Sequence, residues 1–186
     1  TALAAAHASD PSGLCSPDLD QQERSLDELA HQVGFLLPNL HERAVRIARK
    51  LVDWLRRQPP ATALVHGDFY DKQVIVSGDK AKLIDFDEVS LGDPLLDLGN
   101  YVANLERDVT RGAMAKSELE QQRRTLLSAY ERAAGPVQSE QLCKYTALGL
   151  FRLLHHPFRD WEDDWPVKTG RLLSRVESLF EGDSCT

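Results

Sequence analysis

Apolar residues recur along most of this chain at helical spacing, and the runs break at proline and glycine. Leu40, Ala44, Ile47, Ala48, Leu51 and Leu55 share one helical face, with Arg43, Arg46, Arg49 and Arg57 on the others. Asn39 is placed to cap this helix and Pro59-Pro60 to stop it. Upstream, Ser25-Leu-Asp-Glu28 has the spacing of a capping box and predicts a helix that Pro38 ends. Asp93-Pro94 sets a cap before a proline in the first helical position, and the apolar stripe behind it runs to about Leu105. Ser117 and Glu120 predict another start, with Gly135-Pro136 as the stop. Residues 139–155 are apolar nearly all round, which predicts a central helix. Pro166 opens the last helix, with Val167, Leu173, Val176 and Phe180 facing inward. Ala2 to Ala8 reads as helix, and residues 10–17 as a loop rich in Ser, Pro and Gly.

One stretch departs from this pattern. Ala63-Leu-Val65 is a short β-prone run, and Val74-Ile-Val76 and Leu83-Ile84 flank Ser77-Gly-Asp-Lys80 as the arms of a hairpin. The expected fold is therefore mainly α with a small β-hairpin element.

Composition narrows the class. The 186 residues suit a single domain, with 42% hydrophobic and 27% charged residues. These values exclude a disordered tail, a collagen-like fibre and a disulfide scaffold. No apolar run approaches the roughly 18 residues a membrane helix needs, and no secretory signal pattern opens the chain. Cys15, Cys143 and Cys185 are few, scattered and odd in number, so reduced thiols and a cytoplasmic protein are expected. A net charge of −7 argues against a nucleic-acid binder and tilts weakly toward a cationic substrate.

The polar residues at the ends of the β stretch carry the chemistry. They read His66-Gly67-Asp68, then Gln73, then after the hairpin Ile84-Asp85-Phe86-Asp87, then Gly92-Asp93-Pro94-Leu-Leu-Asp97-Leu98. Asp68 follows a strand in a glycine-bent loop, where a carboxylate can take a proton from an attacking hydroxyl. The hairpin returns Asp85 to the same edge as Gln73. A carboxylate and an amide oxygen are hard ligands suited to Mg²⁺, which takes few protein ligands alongside substrate phosphates. A base and a metal site on one strand edge are the minimum for phosphoryl transfer.

This order of motifs resembles the aminoglycoside phosphotransferase family, with its choline-kinase-like and maltokinase-like relatives and its protein-kinase-like (α+β) fold. The resemblance runs from about residue 2 to 181, and the block 66–98 is its specific part. It implies that Asp68 is the catalytic base, with His66 in the catalytic-loop motif. Gln73 stands where the family usually has a Mg²⁺-binding asparagine, as it does in the maltokinase-like branch, and Asp85 stands at the second metal ligand. Asp87 is a neighbour of the metal or a turn residue. Asp93 caps the following helix, and Asp97 anchors the catalytic loop by hydrogen bonds. The opening Ala-Leu-Ala-Ala-Ala-His7 resembles the family's first helix after the hinge. The resemblance further implies a C-terminal lobe only: residues 1–60 as helices before the catalytic loop, 61–98 as catalytic loop, hairpin and metal motif, 99–186 as a helical acceptor-binding subdomain. No glycine-rich loop, strand lysine or pairing glutamate of an N-terminal nucleotide lobe is present, so this chain alone is expected to be inactive. The implied cofactors are Mg²⁺ and ATP, with GTP also open, and the partners are a nucleotide, a small-molecule hydroxyl acceptor and the missing lobe in cis.

Other residues admit plainer readings. Tyr70 faces the acceptor or packs. Trp161-Glu162-Asp163-Asp164-Trp165 is an acidic recognition patch for a cation or a surface loop with half-buried tryptophans. His155-His156 cap a helix end rather than share a metal. Lys72 contacts a phosphate or is solvated, and the arginine strip on residues 43–57 is a solvated helix face. The leading function is an ATP-dependent small-molecule phosphotransferase acting on an aminoglycoside-, choline- or sugar-like hydroxyl. The alternatives are a non-catalytic kinase-like binding or scaffold module and a metal-dependent phosphohydrolase on His66, Asp68 and Asp85.

Overall fold

The computed structural model describes residues 1–78 and 80–182. The elements follow in the order α1 (Ala2–His7), α2 (Leu19–Leu36), α3 (His41–Leu55), β1 (Ala63–Val65), β2 (Val74–Ser77), β3 (Lys80–Leu83), β4 (Ser90–Gly92), α4 (Leu95–Arg111), α5 (Lys116–Ala134), α6 (Ser139–Arg152), α7 (His156–Arg159) and α8 (Trp165–Glu181). The protein is mainly α with two small antiparallel β ladders. One is the expected hairpin, β2 with β3, in which Val74 faces Leu83. The other pairs β1 with β4, Val65 opposite Ser90 and Ala63 opposite Gly92. Ser-Leu-Gly carries no strand pattern of its own, so β4 exists through its partner.

Leu148, Leu150, Phe151 and Leu154, all fully buried, place the segment expected as central at the core between α3, α4 and α8. Trp54 meets Tyr145 edge-on at 4.8 Å between ring centroids. A second apolar cluster joins Leu3 and Ala4 of α1, Phe69 of the loop after β1, Leu98 of α4, Tyr130 of α5 and Leu142 of α6. This cluster ties the β elements to the helices. The contact of α4 with α6 is close because both helices present glycine. A Cβ on Gly99 would lie 2.6 Å from the Tyr145 carbonyl carbon, and one on Gly149 would lie 2.9 Å from Asn100 Oδ1.

Several helix starts differ from those the motifs predict. Helix α2 begins at Leu19, where Asp18 accepts the Asp20 N–H at 3.0 Å. Nothing between Leu19 and Ser25 breaks a helix, so Ser25-Leu-Asp-Glu28 lies inside it. Asn39 does not cap α3, because Pro38 opens a 3₁₀ turn over Pro38–Leu40 that runs directly into it. Helix α5 starts at Lys116 without a side-chain cap. The cap at Asp93 forms: its Oδ1 accepts the Leu95 N–H at 2.9 Å, and α4 runs past Leu105 to Gly112, whose φ of 77° ends it. On α8, Leu173 and Val176 are buried, whereas Val167 is half exposed. Cys15 is free and exposed; Cys143, buried on α6, is disulfide-bonded against the expectation of reduced thiols; Cys185 lies outside the described residues. No helix among the described residues is long and apolar enough to cross a membrane.

Candidate active site

His66-Gly67-Asp68 leaves the end of β1 and is held from beneath by the first turn of α4. Asp97 there is fully buried, and its carboxylate takes three donors: the His66 N–H at 2.7 Å, the Gly67 N–H at 2.9 Å and His7 Nε2 at 2.9 Å. His7 bridges onward through Nδ1 to the Tyr130 hydroxyl at 2.7 Å. Burial, then the Asp97 and Asp93 carboxylates, push that hydroxyl up to about 12. One turn further along α4, Asn100 Nδ2 donates to the Gly67 carbonyl at 2.7 Å. The backbone N–H and carbonyl of Gly67 are therefore both fixed by α4. Gly67 has φ 88°, and a Cβ there would collide with the Glu88 carbonyl oxygen, so only glycine serves.

His66 couples this loop to the segment that carries Asp85. The ring is fully buried; its Nε2–H donates to the Ile84 carbonyl at 2.8 Å, and it lies 4.8 Å from Phe86 between ring centroids. A carbonyl only accepts, so the proton sits on Nε2, and the buried Nδ1 has no partner among the described residues. Ile84 N–H donates in turn to the Gln73 carbonyl at 3.1 Å. The hairpin thus closes at its base, and there Gln73 Nε2 donates to Asp85 Oδ2 at 3.0 Å. Asp85 has φ 63°, a left-handed backbone that a residue other than glycine adopts at a cost of about 1–3 kcal/mol.

The donor set fits Mg²⁺. Gln73 is buried and Asp85 exposed, so the pair offers one fixed amide and one accessible carboxylate, with Asp87 exposed two residues on. Among the described residues no group of three or more His, Cys, Asp or Glu could hold a metal alone. A Mg²⁺ ion at Gln73 and Asp85 would complete its shell with water and phosphate oxygens.

Asp68 is exposed at the junction of two clefts. The cleft toward α2, about 610 Å³, is lined with Asp18, Gln22, Asp87, Glu88 and Arg152. The cleft toward α4 and α7, about 450 Å³, is lined with Tyr70, Lys72, Asn104, Arg107, Arg111, Arg152, His156 and Arg159. Tyr70 thus stands in a cleft with Asp68. The acidic segment Glu162-Asp163-Asp164 does not: none of the three lines either cleft, and Glu162 is held between Arg111 at 3.0 Å and Lys168 at 3.1 Å. Trp161 is 88% exposed rather than half buried. His155 and His156 belong to no metal-binding group among the described residues; His155 reaches the Arg152 carbonyl at the end of α6, and His156 Nδ1 accepts from Arg159 Nη2 at 3.1 Å and faces Arg107 Nη1 at 3.5 Å. Of the arginine strip, Arg43 and Arg46 bind Glu177, and Arg56 binds Asp20 and Glu23. Asn100 and Arg152 were not singled out by sequence. Asn100 falls three residues after Asp97, the spacing that puts both on one helical face, which is the signal that could have found it.

Comparison with known proteins identifies the family and the fold. The model of the phosphotransferase enzyme family matches residues 1–139, and the chain belongs to that family, whose members include the aminoglycoside phosphotransferases. A methylthioribose kinase from Geobacillus kaustophilus (strain HTA426) is 35% identical over 98 residues, which cover 52% of this chain and 22% of that protein. The crystal structure of a thermostable mutant of aminoglycoside phosphotransferase APH(4)-Ia, in its apo form, superposes with a TM-score of 0.65 at 21% identity, covering 99% of this chain and 63% of that one. The chain thus spans less than two thirds of the length of either relative and has the fold of the second.

Proposed function

We propose that this chain is the C-terminal lobe of an ATP-dependent kinase that transfers the γ-phosphoryl group to a hydroxyl of a small molecule. The observation that carries the reading is the coupling of Asp68 to the Gln73–Asp85 pair. His66 flanks the base and donates to the carbonyl of Ile84, the residue before Asp85, so base and metal pair are held by one bonded unit. Asp68 would accept the acceptor's proton as the hydroxyl attacks, and its exposure leaves it open to that substrate. Gln73 and Asp85 would hold Mg²⁺, which neutralises charge on the phosphates when bound. Asp97, His7 and Asn100 position the loop, and Asp93 caps the helix that carries Asp97 and Asn100. A nucleotide-binding lobe outside these 186 residues is part of the proposal, supported by the partial coverage of both relatives and by half-exposed Ile84 and Phe86 beside the metal pair. The phosphohydrolase alternative lacks a ligand cluster among the described residues, and the Gln73–Asp85 contact favours a working metal site over a scaffold module.

Thermal melts of the complete protein with nucleotide test this. ATP at 100 times its Kd is expected to add about 2.7 kcal/mol with Mg²⁺ present, and much less in EDTA or in Asp85→Ala. An equal gain in Asp85→Ala would remove Asp85 from the metal site. GTP in place of ATP reads the nucleotide preference.

A further inference from the structure

We propose that the acceptor carries an anionic group, a carboxylate or a phosphate, received by Arg152 and Lys72 in the cleft between α4 and α7. This rests on the kinase reading and names its substrate class. The cleft containing Asp68 and Tyr70 holds five cationic side chains against the carboxylates of Asp68 and Asp160. Three of the five have carboxylate partners: Arg107 with Asp108 at 3.1 Å, Arg111 with Glu162 at 3.0 Å and Arg159 with Asp160 at 3.0 Å. Lys72 and Arg152 have no carboxylate within ion-pair distance among the described residues. Lys72 is exposed, four residues from Asp68. Arg152, at the end of α6, makes one long hydrogen bond to Gln22 Oε1 at 3.3 Å. Burial lowers its guanidinium from the ordinary range, with Glu88 and Asp68 opposing only in part. A part-buried guanidinium without a bidentate partner, lining a cleft with Asp68, is suited to a carboxylate or phosphate.

The surroundings keep the cleft basic. His156, neutral through burial and the neighbouring arginines, accepts from Arg159 and faces Arg107, which allows two like charges to sit close together. The opposite cleft cannot play this part. Its wall bears Asp18, Asp87 and Glu88 and continues from the metal motif, whereas the α4–α7 cleft contains no residue of that motif. The overall acidic balance of −7 therefore misleads about the substrate. On the α4–α7 side of Asp68 the five cations outnumber the two carboxylates, and Asp87 and Glu88, unpaired among the described residues, lie on the other side.

The test has two arms, both on the complete protein. In the first, glycerol 3-phosphate, glycerate, glycerol and ethanolamine are titrated without nucleotide, and binding is read by calorimetry. Glycerol 3-phosphate and glycerate are expected to bind, at least tenfold more weakly in Arg152→Gln and in Lys72→Gln; the second changes only an exposed side chain and leaves the fold intact. Equal binding of all four compounds, or retention in both variants, overturns the inference. A phosphate bound where glycerate is not identifies a phosphate acceptor, and the reverse a carboxylate. In the second arm, ADP release with Mg²⁺·ATP is measured on a wider panel of anionic, neutral and cationic hydroxyl compounds. Turnover confined to anionic acceptors, with KM raised and kcat little changed in Lys72→Gln, supports the inference. Turnover confined to amines or neutral sugars overturns it and leaves the kinase reading standing. Loss of kcat with neutral acceptors in Arg152→Gln overturns it too, because the arginine then serves the transferring phosphoryl group. Anion binding in the first arm with no turnover in the second overturns the kinase reading and retains the anion site.

Discussion

Asp97 shows how much one side chain can carry at a site it does not face. It is fully buried and takes donors from the His66 and Gly67 backbone and from His7. Asp97→Ala would strand two buried N–H groups and the His7 ring, at an expected cost of about 3–5 kcal/mol. Chemical denaturation measures that cost, and a loss under about 1 kcal/mol would show that water replaces the carboxylate. Gly67→Ala meets both a φ of 88° and the Glu88 carbonyl, so the loop must move to accept it, and activity is expected to fall further than stability. The sequence already marked Asp68, Gln73, Asp85 and Asp97, because their order along the chain is itself a pattern. It did not mark Arg152, whose place beside Asp68 comes only from where α6 ends relative to the loop.

His156 makes a prediction about pH. Burial first, then Arg159, His155 and Arg107, lower it from the ordinary value of 6.5 to about 4. Between those values the unfolded chain takes a proton that the folded protein refuses. Stability is therefore expected to be full above about pH 6.5 and to fall as the pH drops toward 4, and His155 is shifted the same way. Replacing His156 by Gln should flatten part of that decline, as read by urea midpoints at pH 7 and pH 4.5. An unchanged slope would place His156 in solvent.

Among the elements, α4 is the one on which the site depends. Its first turns carry Asp97 and Asn100 to the loop, and its opposite side packs on α6 through Gly99 and Gly149. Gly99→Ala puts a methyl group against the Tyr145 backbone and is expected to cost about 1–3 kcal/mol. Because the helix must shift, kcat is expected to fall in protein that remains folded, measured below its midpoint of melting. Stability loss with kcat intact would mean that the loop does not depend on the seating of α4. The periodic pattern made these helices legible, and the Gly-Asp-Pro start of α4 was right because a proline and a side-chain cap act locally. The starts of α2, α3 and α5 were misplaced because capping motifs compete: Asp18 acts before Ser25 is reached, and Pro38 turns the chain before Asn39 can cap. Strand β4 was illegible because three residues acquire strand geometry only from β1 across the ladder.

At the scale of the whole molecule, the chain is a helical body with one polar edge where Asp68, the Gln73–Asp85 pair and two clefts of opposite charge meet. Ile75 and Val76 on the hairpin and Ile84 and Phe86 beside the metal pair leave apolar surface exposed at that edge. A nucleotide and the proposed second lobe would cover it. The 186-residue chain alone is accordingly expected to show negligible turnover, and the complete protein to show it. The family and the mainly α fold were readable from the motif order. The sign of the charge in the α4–α7 cleft was not, because net charge averages over a surface whose ion pairs only the folded structure assigns.

The most direct test of the account is the steady-state rate of ADP release by the complete protein with an accepted hydroxyl substrate, compared with Asp68→Asn. In Asp68→Asn kcat is expected to fall roughly 10²–10⁴-fold with KM for ATP nearly unchanged, because the proposed base acts on the acceptor's proton and not on the nucleotide. A variant that keeps the wild-type kcat would show that Asp68 is not the base, and the reading of this loop as a phosphotransfer site would fail.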